Sequence, residues 1–216
     1  KMTSENRNIG DFRAIVLNDN VNLILLRSEN NSITVEAGTN LINKVQTEVD
    51  DYGVLVIKNN NNCNWIRNYD SPINVYLNYV DFDSIEYRSI GDITTPDTLV
   101  TDTLWLRVSE GAGKIDMKVN VKTLYCKLHY GTADIFFSGI CGLSYVYSAS
   151  FGFIDMVNLE SNFMYVNNRS SNDIYVWPNT YLSAAIENIG NIYYKGAPST
   201  IKLDRIGAGE LIKIPD

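Results

Sequence analysis

Histidine is nearly missing from this chain, with one copy, His129, among 216 residues. No HExxH or HxH pair can therefore be written, and any histidine-dependent reaction would rest on that one side chain. Cysteine is scarce too. Cys63, Cys126 and Cys141 are odd in number and form no CxxC, so they outline neither a disulfide framework nor a zinc site and read as small buried hydrophobes. Positive charge is in deficit, 18 Lys and Arg against 25 Asp and Glu for a net charge of -7, and no basic stripe with interleaved aromatics occurs. A polyphosphate backbone would be repelled by this net charge, so nucleic acid is not an expected partner. No run of about 18 apolar residues exists to cross a membrane as a helix. The chain opens at Lys1 without a signal-type apolar stretch, which fits a cytosolic protein or a mature form whose signal has been removed. No cofactor motif is found, and none is expected to bind.

What is present is alternation. Phe12, Ile15 and Leu17, then Val21, Leu23 and Leu25, then Ile33 and Val35, Leu55 and Ile57, and Ile73, Val75 and Leu77 recur with period two between turn-rich pieces such as Asn18-Asp19-Asn20 and Asp51-Tyr52-Gly53. These are expected strands. The segment from Thr39 to Glu48 is the one expected helix.

Beyond residues 80 to 86 a phrase of small-x-small-x-Ile repeats. Its members are Ser89-Ile90-Gly91-Asp92-Ile93, Gly111-Ala112-Gly113-Lys114-Ile115, Gly131-Thr132-Ala133-Asp134-Ile135, Ser150-Phe151-Gly152-Phe153-Ile154, Ser170-Ser171-Asn172-Asp173-Ile174, Asn188-Ile189-Gly190-Asn191-Ile192 and Gly207-Ala208-Gly209-Glu210-Leu211. Their last residues are 22, 20, 19, 20, 18 and 19 apart. A second stripe follows each phrase about ten residues on: Leu104-x-Leu106, Leu124-x-Cys126, Leu143-x-Tyr145, Phe163-x-Tyr165, Leu182-x-Ala184 and Ile201-x-Leu203. A repeat this short cannot bury its apolar side alone and must stack on its neighbours. The expected fold is all-β, a parallel β-solenoid of coils of about 19 to 20 residues. Residues 1–85 cap or start it, 86–216 form the repeats, and the whole reads as one continuous domain. Stacking places the isoleucines in one inward column with rungs roughly 4.8 Å apart. The small positions become tight corners, with Gly or Asn172 in left-handed backbone or coils in close approach. Trp177-Pro178 should end a strand, and Leu211 to Pro215 should be the last one.

The residues also resemble a known family. Phe12-Arg13-Ala14-Ile15-Val16-Leu17 with Val21-Asn22-Leu23, Ile33-Thr34-Val35-Glu36-Ala37 with Asn40-Leu41, and Val45-Gln46-Thr47-Glu48-Val49 with Gly53-Val54-Leu55 are similar to the N-terminal half of the head GIN domain family of putative auto-transporter adhesins. The later phrases, and Gly190 to Pro198 in particular, resemble that family's tandem repeats. The match spans roughly residues 9 to 214. It implies a right-handed parallel β-helix, shaped like pectin lyases but lacking their catalytic residues, in bacterial envelope proteins with a proposed role in cell adhesion. It carries over no functional residue.

If the isoleucines face inward, their neighbours face out. One outer ladder runs Asp92, Lys114, Asp134, Phe153, Asp173, Asn191 and Glu210, and a second runs Thr94, Asp116, Phe136, Asp155, Tyr175 and Tyr193. Phe136, Phe153, Tyr175 and Tyr193, with Asp155 and Asp173 among them, form the candidate binding surface, a flat platform for a sugar ring or a partner's apolar side chain. The same rings also satisfy strand propensity with no ligand at all. Carboxylates two rungs apart, Asp116 with Asp155 or Asp173 with Glu210, sit near the upper separation of an inverting glycosidase pair. They equally make a solvated face with Asp92, Lys114 and Asp134 in cross-strand ion pairs. Glu48-Val49-Asp50-Asp51 lacks the order of a calcium loop. Three readings stay open: a non-catalytic envelope or surface adhesin for glycan or host or envelope protein, a carbohydrate-active enzyme using outward carboxylates, and a structural spacer. Self-association through the solenoid ends is a further expectation.

Overall fold

The computed structural model describes residues 1–61 and 72–216, so Cys63 and Trp65 fall outside the described residues. Short strands come first: β1 (Met2–Asn8), β2 (Ala14–Asp19), β3 (Val21–Arg27), β4 (Ser32–Gly38), β5 (Val45–Val49), β6 (Val54–Asn59), β7 (Ile73–Tyr79), β8 (Ser84–Ser89) and β9 (Ile93–Thr94). Long strands follow, β10 (Leu99–Gly111), β11 (Lys114–Leu128), β12 (Asp134–Ser148), β13 (Ile154–Asn168) and β14 (Ile174–Ile186), and then β15 (Ile192–Tyr194), β16 (Thr200–Arg205) and β17 (Leu211–Lys213). All but β1, β4 and β5 stack in parallel as a β-solenoid of about 6 turns, each of about 20 residues.

The isoleucine column is continuous. Leu23 pairs with Ile93, Ile93 with Ile115, and the register proceeds through Ile135, Ile154, Ile174 and Ile192 to Leu211. The isoleucines are at most 1% exposed, and Leu211, in the last coil, is half-buried. Met117, Phe137, Met156 and Val176 fill the layer beside them. Each such side chain contributes roughly 1.5 to 3 kcal/mol by leaving water, which makes the column the main reason the coils stay together.

The corners divide their work between the two small positions. Gly111 and Gly131 take positive φ, 116° and 99°. At Gly113 the need is closeness: a Cβ there would lie 2.2 Å from the Gly91 carbonyl oxygen one coil away. Asn172 does not use left-handed backbone, since Asp19 is the one non-glycine residue with positive φ among the described residues. Instead its side-chain amide donates to the Phe151 carbonyl. Where serine replaces glycine, its hydroxyl bonds to backbone: Ser150 Oγ donates to the Gly131 carbonyl at 2.7 Å, and Ser89 Oγ to that of Asp19 at 2.8 Å.

The second stripe follows a different register from the expected one. Leu104 aligns with Leu124, Ser144, Met164, Leu182 and Ile201, and Leu106 with Cys126, Val146, Val166, Ala184 and Leu203. Leu143, Tyr145, Phe163 and Tyr165 therefore point outward, because a one-residue shift in a strand reverses every side chain. The inward alternative would bury two tyrosine hydroxyls that need partners. The observed register buries Ser144 instead, hydrogen-bonded to Ser161 across the interior at 2.9 Å.

Two other expectations are corrected. From Thr39 to Glu48 there is a single 3-10 turn, Ile42–Lys44, and then β5 pairs antiparallel with β6. Val45, Thr47 and Val49 alternate and are β-branched, and no side chain caps the turn. Strand β14 runs straight through Trp177-Pro178, with Pro178 opposite Ser161 at a register shift, a place where a missing N–H is tolerated.

The coils do not stack in chain order. The β2–β3 coil lies between the β6–β7 coil on one side and the β8–β9 coil on the other. Beyond β6 and β7 the solenoid is closed by antiparallel strands, β5 on β6, β4 on β7 and β1 on β4. Arg7 on β1 ties this end together, its guanidinium donating to the carbonyls of Val45 at 2.6 Å and Ile42 at 3.1 Å. The other end is open: Ile201 and Leu203 are 41% and 50% exposed although they align with buried Leu182 and Ala184.

Candidate functional site

The expected binding surface lies on the outside of the first strand segment of each coil. Asp116, Phe136, Asp155, Tyr175 and Tyr193 follow one another in register. Phe153, one column over, closes the gap that Asp155 leaves between rings, at 6.0 Å from Phe136 and 5.4 Å from Tyr175. Tyr175 and Tyr193 stack at 4.7 Å with planes 8° apart. The four rings are thus contiguous, and all are half-buried. Burial pushes the Tyr175 phenol above its ordinary pKa, with the charge of Asp173, Tyr193 and Asp155 adding to it.

The polar ladder beside them has a different task from ion pairing. Asn22, Asp92, Asp134, Asp173 and Asn191 hold equivalent positions in their coils. Each accepts the backbone N–H of the matching residue one coil on: Asp92 at 2.9 Å, Lys114 at 2.7 Å, Phe153 at 3.1 Å, Asn191 at 2.7 Å and Glu210 at 2.8 Å. Lys114 makes its ion pair along its own strand, Nζ to Asp116 at 2.7 Å. Asp173 therefore holds two coils together, and Asp155 accepts the N–H of Val157 at 3.0 Å. In register, Phe136 stands between Asp116 and Asp155, and Asn191 between Asp173 and Glu210. The candidate acid and base pairs are separated by those residues and engaged elsewhere.

A second aromatic ladder stands on another outer face, and the sequence reading missed it. Trp105, Tyr125, Tyr145 and Tyr165 align in register. Ring centroids are 3.6, 4.9 and 5.0 Å apart down the row, with planes within 19° of parallel, and Tyr181 continues it at 5.4 Å. Grouping Tyr145 and Tyr165 with Leu106, Cys126 and Ala184 in the second stripe hid it. The signal was available, because these four aromatics recur at intervals of 20, 20 and 20 residues. Lys127 Nζ lies 5.2 Å over the Trp105 ring, and Arg107 occupies the same outward column. A shallow groove of ≈ 260 Å³ runs beside the row, lined by Lys127, Tyr145, Tyr147, Tyr165 and Asn167 among others. His129 lies 5.2 Å from the Tyr147 ring. Desolvation, then the charges of Arg107 and Lys127, hold this imidazole below its usual pKa.

The family model for the putative auto-transporter adhesin, head GIN domain, matches residues 11–198. The chain belongs to that family. Solved relatives of the GIN-domain solenoid have the same fold. A putative adhesin from Bacteroides fragilis is 21% identical, with a TM-score of 0.89 over 99% of this chain and 97% of that one. One from Parabacteroides distasonis is 19% identical, at 0.70 over 99% and 97%. A putative lipid binding protein, also from Parabacteroides distasonis, is 18% identical, at 0.74 over 99% and 96%. Comparison with curated proteins gives no match.

Other candidate residues of this GIN-domain chain have structural surroundings. Cys126 and Cys141 are free and buried, one aligned with Leu106 and Val146, the other with Val121 and Ser161, so they lie on different walls. Burial pushes the Cys126 thiol up to about 12. Asp50 accepts the N–H groups of Tyr52 and Val54, both at 2.9 Å, and so shapes the β5–β6 hairpin. Among the described residues no three His, Cys, Asp or Glu side chains converge to hold a metal ion. None of the described helices is long and apolar enough to cross a membrane.

Proposed function

We propose that this chain is a non-catalytic module of the bacterial cell envelope or surface, which adheres to a glycan or protein through a rigid outer face of its solenoid. The observation that carries the reading is the alignment of outward aromatic rings over consecutive coils, Phe136, Phe153, Tyr175 and Tyr193 on one face and Trp105 to Tyr165 on another. A backbone fixed by parallel pairing in every coil holds these side chains in place before a ligand arrives, which lowers the entropic cost of binding. The carboxylates considered for catalysis are engaged with backbone N–H groups or a neighbouring cation, which favours adhesion over hydrolysis. We further propose self-association through the open end at Ile201 and Leu203.

A glycan array and a panel of matrix and envelope proteins test the main reading. Binding to at least one member is expected, weakened about tenfold by Tyr175→Ala with Tyr193→Ala or by Tyr145→Ala with Tyr165→Ala. Silence on both panels, or release of sugar from a polysaccharide that Asp155→Asn abolishes, overturns it.

A further inference from the structure

The two aromatic ladders sit in opposite electrostatic settings. The row ending at Tyr193 runs among Asp92, Asp116, Asp134, Asp155, Asp173 and Glu210, with Lys114 the one cation of those two columns up to Tyr193 and paired to Asp116. The row at Trp105 has Arg107 and Lys127 along its flank. Among the described residues neither has an acidic group within ion-pair distance. Glu86, the carboxylate aligned with Arg107, is already paired with Arg88 at 2.8 Å. A chain with a net charge of -7 thus keeps two cations outside any direct ion pair beside one of its two aromatic ladders, with Glu86 feeling the charge of Arg107.

Ring geometry points the same way. Tyr125, Tyr145 and Tyr165 lie nearly parallel at 4.9 and 5.0 Å, so they cover one another's faces and turn edges and hydroxyls outward. Ring edges carry the positive end of the aromatic quadrupole, and phenols donate hydrogen bonds. No protein acceptor is found for these three hydroxyls among the described residues. The surface is therefore a row of donors repeating once per coil, with cations at its side. It complements a ligand that presents acceptors and negative charge at regular intervals along a line. The interior behind it is filled by Leu124, Cys126, Val146, Met164 and Val166, all of them buried.

We propose that the Trp105, Tyr125, Tyr145 and Tyr165 ladder, with Arg107 and Lys127, binds an anionic polysaccharide lying along the solenoid axis. This rests on the adhesion reading and narrows it to one face and one ligand class. Each contact is at least partly exposed and weak, and strength comes from repetition along the polymer.

Calorimetry with polygalacturonate, hyaluronate and heparin, with dextran as the neutral polymer, tests it. At least one anionic polymer should bind where dextran does not, and affinity should fall between about 50 and about 500 mM salt as screening tightens. Arg107→Gln with Lys127→Gln, and separately Tyr145→Ala, should each weaken binding about tenfold or more. Tyr52→Ala, at an exposed ring on the β5–β6 hairpin outside both ladders, should leave it unchanged, and thermal melts confirm that each variant folds. Equal binding of dextran, indifference to the Arg107 and Lys127 changes, loss through the Tyr175 face instead, or capture of anionic vesicles without any polysaccharide overturns the proposal. The same holds if no anionic polymer binds. In each of these cases the wider glycan and protein panels still decide the adhesion reading by themselves.

Discussion

His129 offers a direct view of the charge beside the Trp105 ladder, because it is the chain's one histidine and gives a single imidazole signal. Its native titration midpoint should lie below 6.5, and Lys127→Gln should raise it, as proton NMR can measure. The unfolded chain, whose imidazole keeps the ordinary value, then binds more protons just below pH 6.5. Stability from this group is complete above 6.5 and declines as pH falls from there to the native midpoint. At this scale the sequence was legible where identity and period coincide, as for Ile115, Ile135 and Ile154, whose place inside follows from repetition. The role of Asp134 and Asp173 was not. A carboxylate's choice between a lysine and a backbone N–H depends on the exact offset of the next coil, which side-chain type does not reveal.

Among elements, β12 and β13 show how close two registers can be. Phe163 and Met164 are neighbours of similar apolar character, yet Met164 is fully buried while Phe163 is 46% exposed. Met164→Ala should cost about 2 to 5 kcal/mol in urea unfolding, and Phe163→Ala no more than about 1 kcal/mol. The reverse order would restore the register in which Phe163 faces inward. Sequence reading took the wrong one because Leu124 to Leu143 and Leu143 to Phe163, 19 and 20 residues, look as periodic as the true steps from Leu124 to Ser144 and Met164, 20 and 20. A buried serine pair, Ser144 with Ser161, carries no apolar signal. The β5 strand was missed for a related reason: the expected helix, Thr39 to Glu48, took in Val45 and Thr47 and cut off Val49, the third of the alternating β-branched residues. The run of parallel coils itself was readable because two stripes kept one period.

For the whole molecule, the two ends differ in kind. One is closed by antiparallel strands and the Arg7 clasp, while the other shows the backbone edges of β16 and β17 with Ile201 and Leu203 uncovered. Unpaired strand edges with apolar side chains recruit similar edges. Sedimentation velocity should therefore detect concentration-dependent association of this chain, lost on Leu203→Glu with Ile201→Glu; a monomer at all concentrations would refute it. None of this asymmetry could be read from the repeat, which treats all coils alike. It comes from β1, β4 and β5, whose antiparallel pairing falls outside the period.

Placing the β2–β3 coil between β6–β7 and β8–β9 also has a consequence for how the protein is made. A nascent chain delivers β2 and β3 early, but both of their flanking partners arrive later, the last of them at Thr94. This solenoid therefore cannot grow coil by coil in chain order like a simple stack, and Leu17 and Leu23 must wait for shelter until the chain as far as Thr94 has been delivered.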